Sequence, residues 1–143
     1  MRYEKKIKIN STPKRIYDIV TDAEILTKWN LGVDNIEARE EGKNFLLKSA
    51  VGDILIVDWE TKENEFATWH MKNSDMDSIG YIIEPRGDNV ETTLWVDFEN
   101  KKLKKSFEKV GELTLKSLKN FVEFIEDGGN PEEFDKKQLM VSP

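Results

Sequence analysis

Apolar and polar residues alternate from position 33 to 99, and this pattern constrains the chain more than any other. Six segments carry it: Val33–Glu40, Asn44–Ala50, Asp53–Lys62, Phe66–Asn73, Ser78–Pro85 and Val90–Glu99. A period of two belongs to half-buried strands. Turn signals separate the segments: Glu41-Gly42-Lys43, Val51-Gly52, Glu63-Asn64-Glu65, Ser74-Asp75-Met76-Asp77 and Arg86-Gly87-Asp88-Asn89. Connections this short make the strands antiparallel neighbours. Upstream, Ile7 and Ile9 alternate with Lys6 and Lys8, so residues 3–9 supply a seventh strand.

After Asn100 the period changes. Leu103, Phe107, Val110, Thr114, Leu118, Phe121 and Ile125 follow at steps of three or four, with Leu115 and Val122 widening the stripe. The spacing predicts an amphipathic helix over 101–126, roughly 39 Å long at about 1.5 Å per residue. Its lysine-rich start opposes the helix dipole. Gly111, costly in mid-helix, marks a bend or a close approach. Two short helices precede the meander. One covers 13–21, capped by Ser11 or Thr12 and opened by Pro13, with Ile16, Ile19 and Val20 on one face. The other covers about 23–29 and carries Ile25, Leu26 and Trp29.

A meander cannot bury its apolar face alone, and the terminal helix is the one partner long enough to cover it. The expected fold is therefore α+β: a curved seven-stranded antiparallel sheet wrapped around the C-terminal helix, with the short helices closing one end. The domain spans 1–127 and a tail spans 128–143. Alternation puts Ile36, Ala38, Phe45, Leu47, Leu55, Val57, Trp59, Ala67, Trp69, Met71, Tyr81, Ile83, Leu94, Val96 and Phe98 inside. Lys48, Asp58, Glu60, His70, Lys72, Glu84, Glu91, Trp95 and Asp97 fall outside. So many large side chains on a curved sheet suggest an enclosed cavity. Its expected walls are Trp29, Phe45, Leu47, Val57, Trp59, Trp69, Met71, Tyr81, Ile83 and Val96, faced by Val110, Thr114 and Leu118 of the helix. Tyr81 and Thr114 are the polar groups that would orient a ligand.

Composition removes many alternatives. There is no cysteine and one histidine, which excludes disulfides, zinc–thiolate sites, Fe–S clusters, thiol nucleophiles and HExxH. His70, Asp58, Glu60, Glu84 and Asp97 lie on the solvated face, where acid–base work has no dry environment. Asn73, Asp75, Asp77 and Glu84 match calcium-loop spacing, but Ser78 stands where the loop needs Gly. Two SxxK matches, Ser11–Lys14 and Ser106–Lys109, lack their β-lactamase-type partners. No P-loop, GxGxxG or GxSxG occurs. A net charge of −6 argues against a nucleic-acid binder. The chain shows no secretory signal and no membrane-spanning run, so a cytoplasmic location, without stable membrane insertion, is expected. The lysine run at 101–109 is a solvated face that could rim a pocket mouth.

The strand Tyr3–Ile9, the run Ser11-Thr12-Pro13-Lys14-Arg15-Ile16-Tyr17-Asp18-Ile19-Val20-Thr21-Asp22, the closing Trp29 and the long final helix resemble the START/Bet v 1-like superfamily (SRPBCC, polyketide cyclase/dehydrase-like). The resemblance covers about residues 3–126 by element order. It implies the helix-grip fold and a hydrophobic pocket between sheet and helix, with no fixed catalytic residues and no cofactor. The function expected is binding or transport of a small hydrophobic or amphipathic ligand by a monomer or homodimer. The alternatives are a polyketide cyclase/dehydratase-like enzyme and an Hsp90-activator-like interaction module that uses the outer face around Trp95.

Overall fold

The computed structural model describes residues 1–39, 44–49, 52–72 and 74–136. Seven strands appear: β1 (Arg2–Ile9), β2 (Asn35–Arg39), β3 (Asn44–Ser49), β4 (Gly52–Lys62), β5 (Phe66–Lys72), β6 (Ser78–Arg86) and β7 (Asn89–Asp97). They form one antiparallel sheet in the order β1-β7-β6-β5-β4-β3-β2. Helices α1 (Pro13–Val20) and α2 (Leu26–Trp29) follow β1, and α3 (Lys104–Glu126) follows β7. The strand ends at Glu40, Ala50 and Asn73, the turn residues 41–43 and 51, and Asn73 of the calcium-loop match lie outside the described residues.

Local chemistry accounts for the helix ends. Thr12 Oγ1 accepts the Arg15 backbone N–H at 3.2 Å, with Pro13 at the first position. Asp22 caps only a turn, through the Glu24 N–H at 2.9 Å, so α2 starts later than expected, at Leu26. The lysine-rich start of the long helix is a 3₁₀ turn, Lys101–Leu103, held by the Asn100 side chain.

Helix α3 packs chiefly on β1 and β7. Gly111 permits this. A β-carbon there would sit 2.5 Å from Tyr3 Cε1, and the Tyr3 hydroxyl donates to the Glu108 carbonyl at 3.2 Å. The main core joins Ile9, α1, Trp29, Tyr81, Ile83 and Leu94 to Leu115, Leu118, Phe121 and Val122 of α3. A smaller cluster holds Tyr3, Val96 and Phe98, with Phe107 against it. Past α3, Phe134 stacks edgewise on Phe121, with ring centroids 5.1 Å apart. Lys136 Nζ donates to the carbonyls of Asn30 and Val33 at 2.8 and 2.7 Å. Residues 131–136 of the expected tail thus lie against the body of the domain.

One strand departs from simple alternation. In β4, Ile56 pairs with Met71 but Asp58 pairs with His70, which leaves Val57 as the extra residue of a bulge. Parity flips there. Ile54 and Ile56 join Phe45 and Leu47 on the inner face, while Leu55 pairs with Leu46 on the outer face. The inward placement of Leu55 is therefore corrected, and Val57 falls at the bulge, outside the strand pairing. Ile54-Leu55-Ile56-Val57 is an uninterrupted apolar run, and such a run carries no parity signal of its own.

Candidate ligand-binding groove

Both core clusters draw on β1, β5–β7, the helices and adjoining loops, and no described residue of β2–β4 belongs to either. Because α3 rests on β1 and β7, the inner face of β2–β5 extends beyond its main contacts. Ile36, Phe45, Leu47, Ile54, Trp59, Trp69 and Met71 are all only half-buried there. The Phe45 and Trp59 rings pack 5.2 Å apart, and Trp59 pairs across strands with Trp69. On the helix, Val110 and Thr114 share a stripe with Ser117, whose hydroxyl bonds the Trp29 carbonyl. Val110 is 54% exposed, although the helix's apolar stripe includes it. These half-buried apolar residues of β2–β5, on the sheet face that α3 packs against, are the candidate wall of a groove between sheet and helix.

Of the expected wall residues, Phe45, Leu47, Trp59, Trp69 and Met71 share the half-buried inner face of β3–β5, while on α3 Val110 is exposed and Thr114 is buried. Trp29, Tyr81, Ile83 and Leu118 belong to the filled core, and Val96 to the smaller cluster. Val57 is the bulge residue. The alternation missed Ile54 and Ile56, which the bulge turns inward.

Tyr81 links core and groove. Its ring meets Trp29 edge-on at 6.3 Å and the half-buried Trp69 at 6.0 Å. Burial pushes the phenol far above its ordinary pKa, so it stays protonated. Neither the Tyr81 hydroxyl nor that of Thr114 hydrogen-bonds a described residue. Yet neither oxygen is among the fully sealed, unpaired atoms, which include Trp29 Nε1 and Thr92 Oγ1.

A separate wide depression of about 670 Å3 lies between Thr12–Lys14, Asn64, Glu65 and Ile83–Arg86. It is open to solvent and lined by charges of both signs, with Glu84 and Arg86 paired at 3.0 Å. Among the described residues, no group of three or more His, Asp or Glu could hold a metal.

Comparison with known proteins places this geometry. The model of the Activator of Hsp90 ATPase homolog 1-like protein family matches residues 10–123. The chain belongs to that family. No curated protein matches it. Among solved structures it is similar to a START superfamily protein from Mycobacterium smegmatis, at 18% identity and TM-score 0.74, covering 87% of this chain and 98% of that one. It is also similar to the Aha1 dimer from Colwellia psychrerythraea, at 17% identity and TM-score 0.72, covering 86% and 96%. The di-domain ARO/CYC BexL from the BE-7585A biosynthetic pathway matches at 13% identity and TM-score 0.75, covering 89% of this chain and 48% of BexL. At these identities the likeness is one of fold. The helix-grip architecture, a seven-stranded sheet with a long C-terminal helix, is thus established. Among the described residues no helix is long and apolar enough to cross a membrane.

The outer face of this member of the Hsp90 ATPase activator homolog family differs from expectation at Trp95 as well as at Leu55. Trp95 does lie outside, but it is only 7% exposed. It lies flat over Gly80, and the Arg2 guanidinium covers it 4.2 Å from the ring centroid. Arg2 is clamped in turn by both Asp97 oxygens, at 2.7 and 2.9 Å. Trp95 therefore offers no apolar contact surface. His70 Nδ1 is 2.7 Å from Ser78 Oγ, and Nε2 is 3.8 Å from Glu60, on the same outer face.

The hydrogen bonds from Arg2 hold the Asp97 carboxyl below its ordinary range, against the opposing effect of partial burial. A carboxyl whose folded pKa is depressed contributes stability above its unfolded value, about 3.9, and loses it as pH falls through the folded value. Both partners are substantially solvated, so screening keeps the contribution small. Asp97→Asn should cost under about 1 kcal/mol at neutral pH. Urea unfolding of variant and parent should converge on acidification.

Proposed function

We propose that this protein binds a small apolar or amphipathic molecule in the groove between β2–β5 and α3. The observation that carries the reading is the row of half-buried apolar residues on the inner face, which all lie outside both core clusters except Trp69, packed against the larger one. Removing such a surface from water is favourable by about 25 cal/mol per Å2. Tyr81 and Thr114 supply hydroxyls that would orient the ligand. The aromatase/cyclase likeness gives less support to catalysis, because a cyclase needs a positioned acid or base. Followed along the strand register, the inner face of β2–β7 carries no Asp, Glu or His. The covered state of Trp95 likewise weakens the reading as an Hsp90-activator-like interaction module.

Titration with the uncharged dye Nile red tests the binding. Saturable binding that quenches tryptophan emission is expected, because Trp59 and Trp69 wall the groove. Met71→Glu, at a half-buried site, should weaken binding at least about tenfold in the folded variant. Binding that is absent, or unaffected by Met71→Glu, would overturn the reading.

A further inference from the structure

We propose that the groove selects uncharged ligands bearing a hydrogen-bond acceptor, with the Tyr81 hydroxyl as donor, and rejects carboxylates of the same shape. The inference rests on the groove reading and adds the chemical class of the ligand. Its basis is where the charges lie. The pairing register assigns every strand residue to a face. On the inner face of β2–β7, every position is uncharged at neutral pH. The bulge residue, Val57, is apolar as well.

The inner-face exception is Lys5 on the edge strand β1. It lies where α3 packs and pairs with Glu112 of that helix at 3.7 Å. The described strand acids and His70 of the β4–β7 stretch occupy the outer face instead. A ligand carboxylate laid against the strand wall would give up its hydration and meet no cation on that wall, which is the costly case for a buried charge.

A carbonyl or ether oxygen loses much less hydration and can be compensated. The Tyr81 phenol stays protonated in its buried setting, has no partner among the described residues and stands against Trp69 of the groove wall. Thr114 offers a second unpaired hydroxyl from the helix side. The walls themselves are flat rings, Phe45, Trp59 and Trp69, which suit a planar ligand body. The strand wall thus offers stacking surface and neutral hydrogen-bonding groups, and no countercharge; the lysines of the 101–109 run stand on the helix at the solvated side.

Three naphthalene probes separate the possibilities in the intact protein: the neutral ketone Prodan, its analogue with a carboxylate in place of the propionyl group, and its analogue with a propyl group. Each is titrated by fluorescence. Prodan is expected to bind at least about tenfold more tightly than either analogue. Tyr81→Phe should bring Prodan down to the propyl analogue and shift its bound emission to the blue, as its carbonyl loses a donor. Equal or tighter binding of the carboxylate overturns the proposal. So does Prodan binding and emission unchanged in folded Tyr81→Phe. In both cases the groove reading survives. If none of the three probes binds, both fall together.

Discussion

Replacing Trp29 by Ala is expected to lower stability by about 3–5 kcal/mol, the range for emptying a fully buried tryptophan site. Trp29 is 0% exposed and sits where α2, α3 and the sheet meet. Its ring touches Tyr81 edge-on, and its carbonyl takes the Ser117 hydroxyl of α3. Truncation removes the ring that fixes α2 over the filled end of the sheet. The indole N–H has no partner among the described residues, so Trp29→Phe discards a polar group that gains nothing from burial. Trp29→Phe should therefore cost clearly less than Trp29→Ala. Urea unfolding of the two variants checks this. A loss under about 1 kcal/mol for Trp29→Ala would contradict the packing described.

The second large effect is on the outer face. A β-carbon on Gly80 would lie 2.5 Å from Trp95 Cζ2 and 2.7 Å from its Nε1. The indole cannot easily yield, because Arg2 covers it and Asp97 fixes Arg2. Gly80→Val should destabilise by about 2–3 kcal/mol, although valine has the higher strand propensity. The clash needs both partners, so Trp95→Ala should relieve much of it. The double variant should be more stable than the sum of the single losses, measured as a thermodynamic cycle. Strict additivity would show that Trp95 does not press on Gly80.

Most of the fold was legible because its elements announce themselves by period. The strands of the meander, α1 with its Thr12 cap and the long helix follow from alternation, turn residues and a stripe at helical spacing. Gly111 announced a close approach, and Tyr3 is what approaches it. The candidate site was legible in part. The inward placements of Phe45, Leu47, Trp59, Trp69 and Met71 follow from simple alternation. Leu55 was misplaced because a bulge sits inside a run of four apolar residues, where either parity reads equally well. Trp29, Tyr81, Ile83 and Leu118 share the inner side but sit at the filled end, a distinction set by where α3 lies across the sheet and not by any residue type. Trp95 was read correctly as outward. Its burial depended on Gly80 beneath it and Arg2 above it, residues far apart in sequence that only the strand order β1-β7-β6 brings together.

Methyl NMR during a Prodan titration tests the central claim most directly. The open groove predicts shifts concentrated on Met71, Leu47, Ile54 and Val110, while Ile16 and Val122 of the filled core stay in place. Shifts confined to the core or to the outer face, or no shifts at all, would contradict it.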